Sequence, residues 1–395
     1  MKNVTVINHL GLRASYGLQG NIDKNTSPYL IGIYDQTTIL PGNSEDAIRP
    51  SSAPNPDLRW EKTQSANIGM DLSLWDNIIS LSVDYYYRKG TDLIGLRMLP
   101  LETGYTSTTV NWAQMENEGV EVALTTRNIH TKDFTWFTNL NFGYNDNTVL
   151  RETVAENAIK PSREGYSVGA IFAYKTAGLD DEGYPLFLTQ DGRKVTATEF
   201  FKLNNAGAST LSAEEQRNLY SYIGSTEPKV SGGFMNTFKY KRVTLGINCI
   251  FNFGMYVQTT PTYDPTNYDR GLNSNRDILN RWTPDHTNTT LPKLMTENDG
   301  RTGEYLRYKE QNLFRELDIW VKKQNYFRFE SIRLGYELPE KWLKPVGIKS
   351  ASVSLEGRNL WVIASNYHNY LDPETMGNPY AAPIPKSFIF GLNVN

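Results

Sequence analysis

With a single cysteine, Cys249, the 395-residue chain can form no internal disulfide framework and no Cys-rich zinc site. Its four histidines, His9, His130, His286 and His368, lie in different segments without metal-ligand spacing, so no imidazole-based metal or catalytic site is expected. Positive charge is not in excess: 40 Lys+Arg against 43 Asp+Glu leave a net charge of −3, which argues against a nucleic-acid partner. No apolar run reaches about 18 residues, which excludes transmembrane helices. The longest uncharged stretch, Val243 to Tyr263, is broken by Thr, Asn, Gln, Pro and Gly. The opening MKNVTVINHLGLRASYG lacks the apolar core and small-residue cleavage site of a secretory signal. No catalytic residue, cofactor or enzyme activity is expected. The acidic segment Asp180-Asp181-Glu182-Gly183 does not fit the ligand spacing of a calcium loop and reads as a turn.

What the chain does have is 24 Tyr, 16 Phe, 8 Trp and 30 Gly, a composition that favours strands and polar loops. Helical signals are confined to Ser212–Tyr222 and Asn275–Trp282. Period two dominates. Ile68, Met70, Leu72 and Leu74 alternate with polar residues; after a turn at Asp76-Asn77, so do Ile79, Leu81, Val83, Tyr85 and Tyr87. The pattern recurs at Val120–Leu124, Phe134–Tyr144, Val230–Tyr240 and Val243–Phe253, the last two joined by a turn at Lys241-Arg242. Further strands are expected at Leu12–Gly17, Tyr326–Leu338, Ser350–Ile363 and Phe388–Val394.

These strands are joined alternately by short turns and by long connections at about 18–64, 89–115, 146–227, 254–324 and 365–385. Strict alternation sends all long connections to one rim of an antiparallel sheet, as in membrane barrels with short periplasmic turns and long external loops. A soluble β-sandwich shares the period. Aromatics at the ends of the apolar faces (Tyr85, Tyr87, Phe142, Tyr144), with Asn, Ser, Thr and Gly opposite, favour a barrel with an interfacial girdle and a wet lumen. On this register Val83, Tyr85, Phe142, Phe234 and Phe251 face lipid, and Cys249 is a small apolar filler on the same side.

Several strings go beyond pattern. LRASYG (Leu12–Gly17), the run from Asn55 to Ile94, MENEGVEVAL (Met115–Leu124), LNRWTPDHTNT (Leu279–Thr289), FRFESIRLGYELP (Phe327–Pro339), GRNLWV (Gly357–Val362), LDPE (Leu371–Glu374) and the ending FIFGLNVN together resemble the C-terminal part of SusC/RagA-type TonB-dependent outer-membrane transporters. The resemblance implies an all-β, antiparallel transmembrane barrel of roughly 22 strands with a plugged lumen, of which residues 1–395 supply about ten C-terminal strands. It implies that plug domain and TonB box are absent here. It also implies import of oligosaccharides, or of peptides in the RagA branch, with a SusD-like lipoprotein as lid and energy from the TonB complex. Phe390, Leu392 and Val394 match the C-terminal assembly signal of such barrels, one residue short of its final aromatic. A passive porin and a soluble carbohydrate-binding β-protein are the alternatives from other classes.

Sugar rings stack on aromatics while amide, carboxylate and guanidinium groups satisfy their hydroxyls, because an unpaired polar group in a closed site costs about 1–3 kcal/mol. The candidate ligand contacts are therefore the loop aromatics Tyr105, Trp112, Tyr263, Tyr268 and Trp282; packing within the loops or against the lid is the competing reading.

Overall fold

The computed structural model describes all residues except 1–5, 23, 25, 41, 106, 268–272, 367–370 and 379. Ten strands form one antiparallel sheet in sequence order. They are β1 (Ile7–Asn21), β2 (Glu61–Leu74), β3 (Ile79–Met98), β4 (Ser107–His130), β5 (Phe134–Arg151), β6 (Val230–Tyr240), β7 (Val243–Phe253), β8 (Tyr326–Glu337), β9 (Ala351–Ala364) and β10 (Ser387–Val394). Each strand pairs only with its sequence neighbours, which is the topology of a barrel wall; β1 and β10 are its outermost strands. The hairpin ends are tight, with Trp75, Asp76 and Asn77 at φ 50, 54 and 59°, and Lys241 at 52°.

Register turns period two into continuous bands. One row runs Leu12, Met70, Val83, Val122, Phe142, Gly232, Phe251, Phe327 and Ile363 across nine adjacent strands. One residue along, the opposite face carries Arg13, Gly69, Asp84, Glu121, Gly143, Ser231, Asn252 and Tyr326. The apolar face is not covered by other protein: Leu12, Ile68 and Ile363 are 78%, 64% and 66% exposed. A bare apolar belt of this extent fits hydrocarbon rather than water. At its upper border the Tyr85 and Tyr87 hydroxyls donate to Glu118 (3.2 Å) and Glu116 (2.8 Å), so their rings stay with the belt and their polar tips point to the charged rim. At the lower border Trp136 stacks on Phe238 at 5.5 Å.

A polar row crosses the belt at Thr126, Thr138 and Asn236. Asn236 lies in register with Thr138 and Ile247 on the apolar face, yet is buried. Its side-chain oxygen accepts from Trp136 Nε1 (2.8 Å) and Thr138 Oγ1 (2.7 Å), as a medium without water requires. On the inner face Tyr86 crosses over Gly119 to donate to Asn145 at 2.8 Å; a Cβ on Gly119 would lie 2.5 Å from that hydroxyl.

The external connections differ from the sequence reading in two ways. The segment 89–115 is mostly paired strand, because β3 reaches Met98 and β4 starts at Ser107. The apolar alternation stops at the membrane border, whereas ladder hydrogen bonds continue above it, past a bulge at Gly90–Leu93. The segment 18–64 holds a second hairpin, Ile31–Leu40 paired with Asn43–Ser52. Of the expected helices, the first is Ala213–Arg217, closed by a capping box from Ser212 to Glu215, and the second is the 3-10 turn Arg276–Asn280. The longest helix, Thr302–Gln311, had no clear sequence signal, since its mixed polar face shows no strong stripe.

The two longest connections, 152–229 and 254–325, fold together. Tyr174, Phe187, Phe200 and Phe201 from the first pack with Tyr308, Leu313, Phe314 and Trp320 from the second in one core. Each large side chain buried there contributes about 1.5–3 kcal/mol. Polar bonds join the halves as well: Arg301 contacts Asp180 (2.6 Å) and Glu182 (3.0 Å), and Thr176 Oγ1 donates to Asp318 (2.7 Å). The Tyr184 hydroxyl donates to Asp299 (2.9 Å), which also receives Lys293 (3.0 Å) and Thr296 Oγ1 (2.6 Å). Burial by itself raises the Asp299 carboxyl, but these bonds outweigh it and hold the group at about 2, against an ordinary 3.8.

Two outcomes follow from these contacts. Leu140→Arg, in mid-belt, should cost about 2–4 kcal/mol in denaturant unfolding from bilayers, whereas Asn139→Arg on the inner face should cost much less; equal losses would refute the face assignment. Because the folded Asp299 value lies below the unfolded one, its stabilisation is complete above about pH 4 and is lost as pH falls through about 2. The fluorescence of buried Trp320 should report loosening of the external module over that interval, and the Asp299→Asn protein, weaker at neutral pH, should lack this component.

Candidate functional site

The base of the external module meets the inner face of the wall, where Val168 N–H donates to Asn147. The expected aromatic contacts are dispersed there. Tyr263 is a core residue, 8% exposed, with its ring 5.5 Å from Phe314 and its hydroxyl donating to the Pro292 carbonyl at 2.7 Å. Packing therefore claims it, because a Tyr in a long connection that folds against another is drawn to their shared core. Trp112 is not in a loop but in β4, with the Arg151 guanidinium 4.4 Å from its ring. Trp282 is half-buried and lies flat on Gly183, where φ is 82° and a Cβ would come within 2.5 Å of the indole. Tyr105 is half-buried in the short 99–106 connection. Tyr268 falls outside the described residues. The structure thus does not bring the four described ones together. Asp180 accepts from the backbone N–H groups of Glu182 and Tyr184, which makes the acidic segment a turn, as read from the sequence.

A site missed by sequence reasoning sits where the first large connection leaves the wall. Tyr166 and Tyr222, 40% and 39% exposed, stack at 4.6 Å, with Phe172 edge-on to both. They line a cleft of about 230 Å³ with Asn145, Asn147, Ser167, Ser225 and Lys229. Its floor is fixed: Val168 N–H donates to Asn147 (2.7 Å), Ser167 to Ser225 (2.6 Å), and Tyr86, on the inner wall, to Asn145. Burial raises the Tyr222 phenol above its ordinary range, and Asp146, 3.2 Å away, does the same for the Lys229 ammonium. At neutral pH the cleft therefore offers a neutral phenol, a cation, amides and aromatic faces. Periodicity could not find it, since Tyr166 and Tyr222 are 56 residues apart and meet only when Ala170–Ala173 pairs with Ser221–Ser225.

Below it, the inner face of β6 to β9 forms a groove of about 460 Å³ lined by Thr237, Thr244, Asn248, Ser331, Arg333 and Glu356. Nearer β1, Arg13 bridges Asp71 and Asp84, and Ser82 donates to Asp71 at 2.7 Å. Among the described residues no group of His, Cys, Asp and Glu is placed to hold a metal ion.

A ten-stranded meander with an outward apolar belt, an inward polar face and a folded module on one rim defines the class of outer-membrane barrel proteins. The chain belongs to the family of TonB-dependent receptor-like β-barrels, whose description it matches over residues 3–360; members of that family reside in the outer membrane. It is 26% identical to TonB-dependent receptor P3 of Formosa agariphila, over all of this chain and 40% of that protein. With TonB-dependent receptor SusC of Bacteroides thetaiotaomicron the identity is 22%, over all of this chain and 38% of that one. The solved RagAB peptide importer in its open-open state shares the fold with a TM-score of 0.76 at 24% identity, over 100% of this chain and 41% of that one. The chain thus spans about 40% of the length of the curated relatives it matches. The curated relatives are named as receptors, and the RagAB protein as a peptide importer.

Proposed function

We propose that residues 1–395 form the C-terminal part of the wall and the outer mouth of a SusC-like TonB-dependent transporter that imports oligosaccharides across the outer membrane. The observation that carries this reading is the rim cleft, where the stacked Tyr166 and Tyr222 stand beside Asn145 and Asn147 of the polar inner face. In this reading a SusD-like lipoprotein covers the external module, the plug and TonB box lie in the remainder of the transporter, and TonB supplies the energy. Phe390, Leu392 and Val394 on the outward face of β10 serve the assembly machinery. The apolar belt speaks against the soluble carbohydrate-binding alternative.

Sugar rings would stack on Tyr166 and Tyr222, with Asn145, Asn147 and Lys229 meeting the hydroxyls. Trp282, Tyr105 and Trp112 are outer contacts for the cargo or the lid, and Tyr268 retains that role from the sequence. One observation favours a second cargo class, peptides: the Arg13–Asp71–Asp84 cluster on the inner face can exchange partners with charged side chains and termini, as a neutral glycan cannot.

Aromatic contacts of this kind contribute about 0.5–1.5 kcal/mol beyond their buried area. Tyr166→Ala and Tyr222→Ala should each weaken glycan binding roughly two- to tenfold by calorimetry on the purified transporter, with barrel assembly unchanged. Unaltered binding in both would remove the cleft from the route, and tight binding of a peptide mixture without any glycan response would select the second cargo class. Trp282→Ala should lower uptake by whole cells; normal uptake would leave that ring a packing element on Gly183.

A further inference from the structure

The buried ion cluster at the upper end of β8 has no part in the route described above. Arg328 pairs with Ile250 of β7 and Val362 of β9, which puts it on the inner face, two residues below the end of its strand at Tyr326. Its side chain is only 3% exposed. The guanidinium holds two carboxylates from the last external connection, Asp372 through Nη2 and Glu374 through Nε at 2.5 Å. Asp372 is itself 7% exposed and also accepts from the Glu374 backbone N–H at 3.0 Å, so the turn is shaped around the carboxylate that Arg328 grips. The next residues are wedged in place. Pro373 and Met376 are fully buried, and Gly377 approaches Val257 so closely that a Cβ would lie 2.9 Å from its methyl. Val257 belongs to the short strand Tyr256–Gln258, which pairs with Val321–Lys323 at the base of the external module. The turn thus lies between the inner face of the wall and the strand pair at the base of the module.

A merely structural seam would be served as well by apolar packing, because a buried ion pair often adds no net stability over a hydrophobic equivalent. What the ions add is an all-or-none geometry. With both carboxylates on the fork the turn is seated; once separated, all three charges need water, and the turn must leave the buried position. We propose that Arg328, Asp372 and Glu374 form a latch that holds this turn across the mouth of the barrel, with Arg328 as its positioning residue, and that releasing the latch widens the opening. The inference needs only the barrel topology, and stands whichever cargo is carried.

The test places a reporter at Met376→Cys in the outer-membrane protein and measures labelling by a bulky impermeant maleimide on intact cells; the parent with buried Cys249 alone sets the background. Heat-modifiable electrophoretic mobility reports barrel assembly in every variant. Arg328→Gln should raise labelling at least tenfold, and the loop-side pair Asp372→Asn with Glu374→Gln should do the same without touching the wall. Arg328→Lys, a point charge without the fork, should fall between. Exchanging the charges, Arg328→Asp with Asp372→Arg, should restore much of the protection and also reverse the entry of a large hydrophilic antibiotic that the single variants admit. Protection unchanged in assembled Arg328→Gln, or no recovery on charge exchange, would overturn the latch. Should Arg328→Gln fail to assemble, the loop-side pair decides; failure of both would make the cluster a folding requirement and overturn the proposal.

Discussion

Pairing register is the constraint on which the rest of this structure depends. In a strand the side chains alternate between faces, so a slip of one residue would carry Phe142, Phe251 and Phe327 inward and Glu121, Asn141 and Asn252 into lipid. Ten strands paired only with their neighbours must therefore agree on one phase. Where it would drift, bulges absorb the extra residue, as between Phe329 and Ser331 of β8 opposite β9. Both bands follow from this agreement: the belt that a bilayer can accept and the polar face along which a hydrated cargo can move.

Polar groups outside their proper band show how strictly the medium is enforced. Asn236 sits in the belt, and its side-chain oxygen is taken by two donors from β5. Arg328 is buried on the inner side, and its charge is met by two carboxylates. In neither place could water supply the partner, so tertiary structure supplies it, and in each case the partners come from a neighbouring element rather than from the same strand.

The external module obeys a different physics. Above the membrane a connection of this length would remain an open loop unless it found apolar surface to bury, and here each long connection supplies that surface to the other. Tyr174, Phe200 and Phe201 find that surface on Phe314, Leu317 and Trp320 from the other connection. The joint body fixes the base of the first connection, and there Tyr166 meets Tyr222. Site and scaffold are neighbours: the cleft forms where the first connection pairs Ala170–Ala173 with Ser221–Ser225, beside the core that the two connections share.

From the sequence alone the ten strands, their two faces, the rim from which the long connections emerge and the family resemblance are all legible, because each rests on local alternation or on short contiguous strings. Membrane-facing residues such as Val83 and Phe251 are assigned by parity, which needs no knowledge of distant neighbours. Local signals do not extend to the upper halves of β3 and β4, where pairing outlasts the apolar pattern and makes Trp112 a strand residue. Nor do they say that Tyr263 is consumed by a core, that Tyr166 faces Tyr222, or that the LDPE turn closes on an arginine 44 residues upstream of Asp372. These were decided only by the tertiary structure, since burial and pairing between distant segments depend on which surfaces the chain brings together, and alternation within one strand carries no record of that.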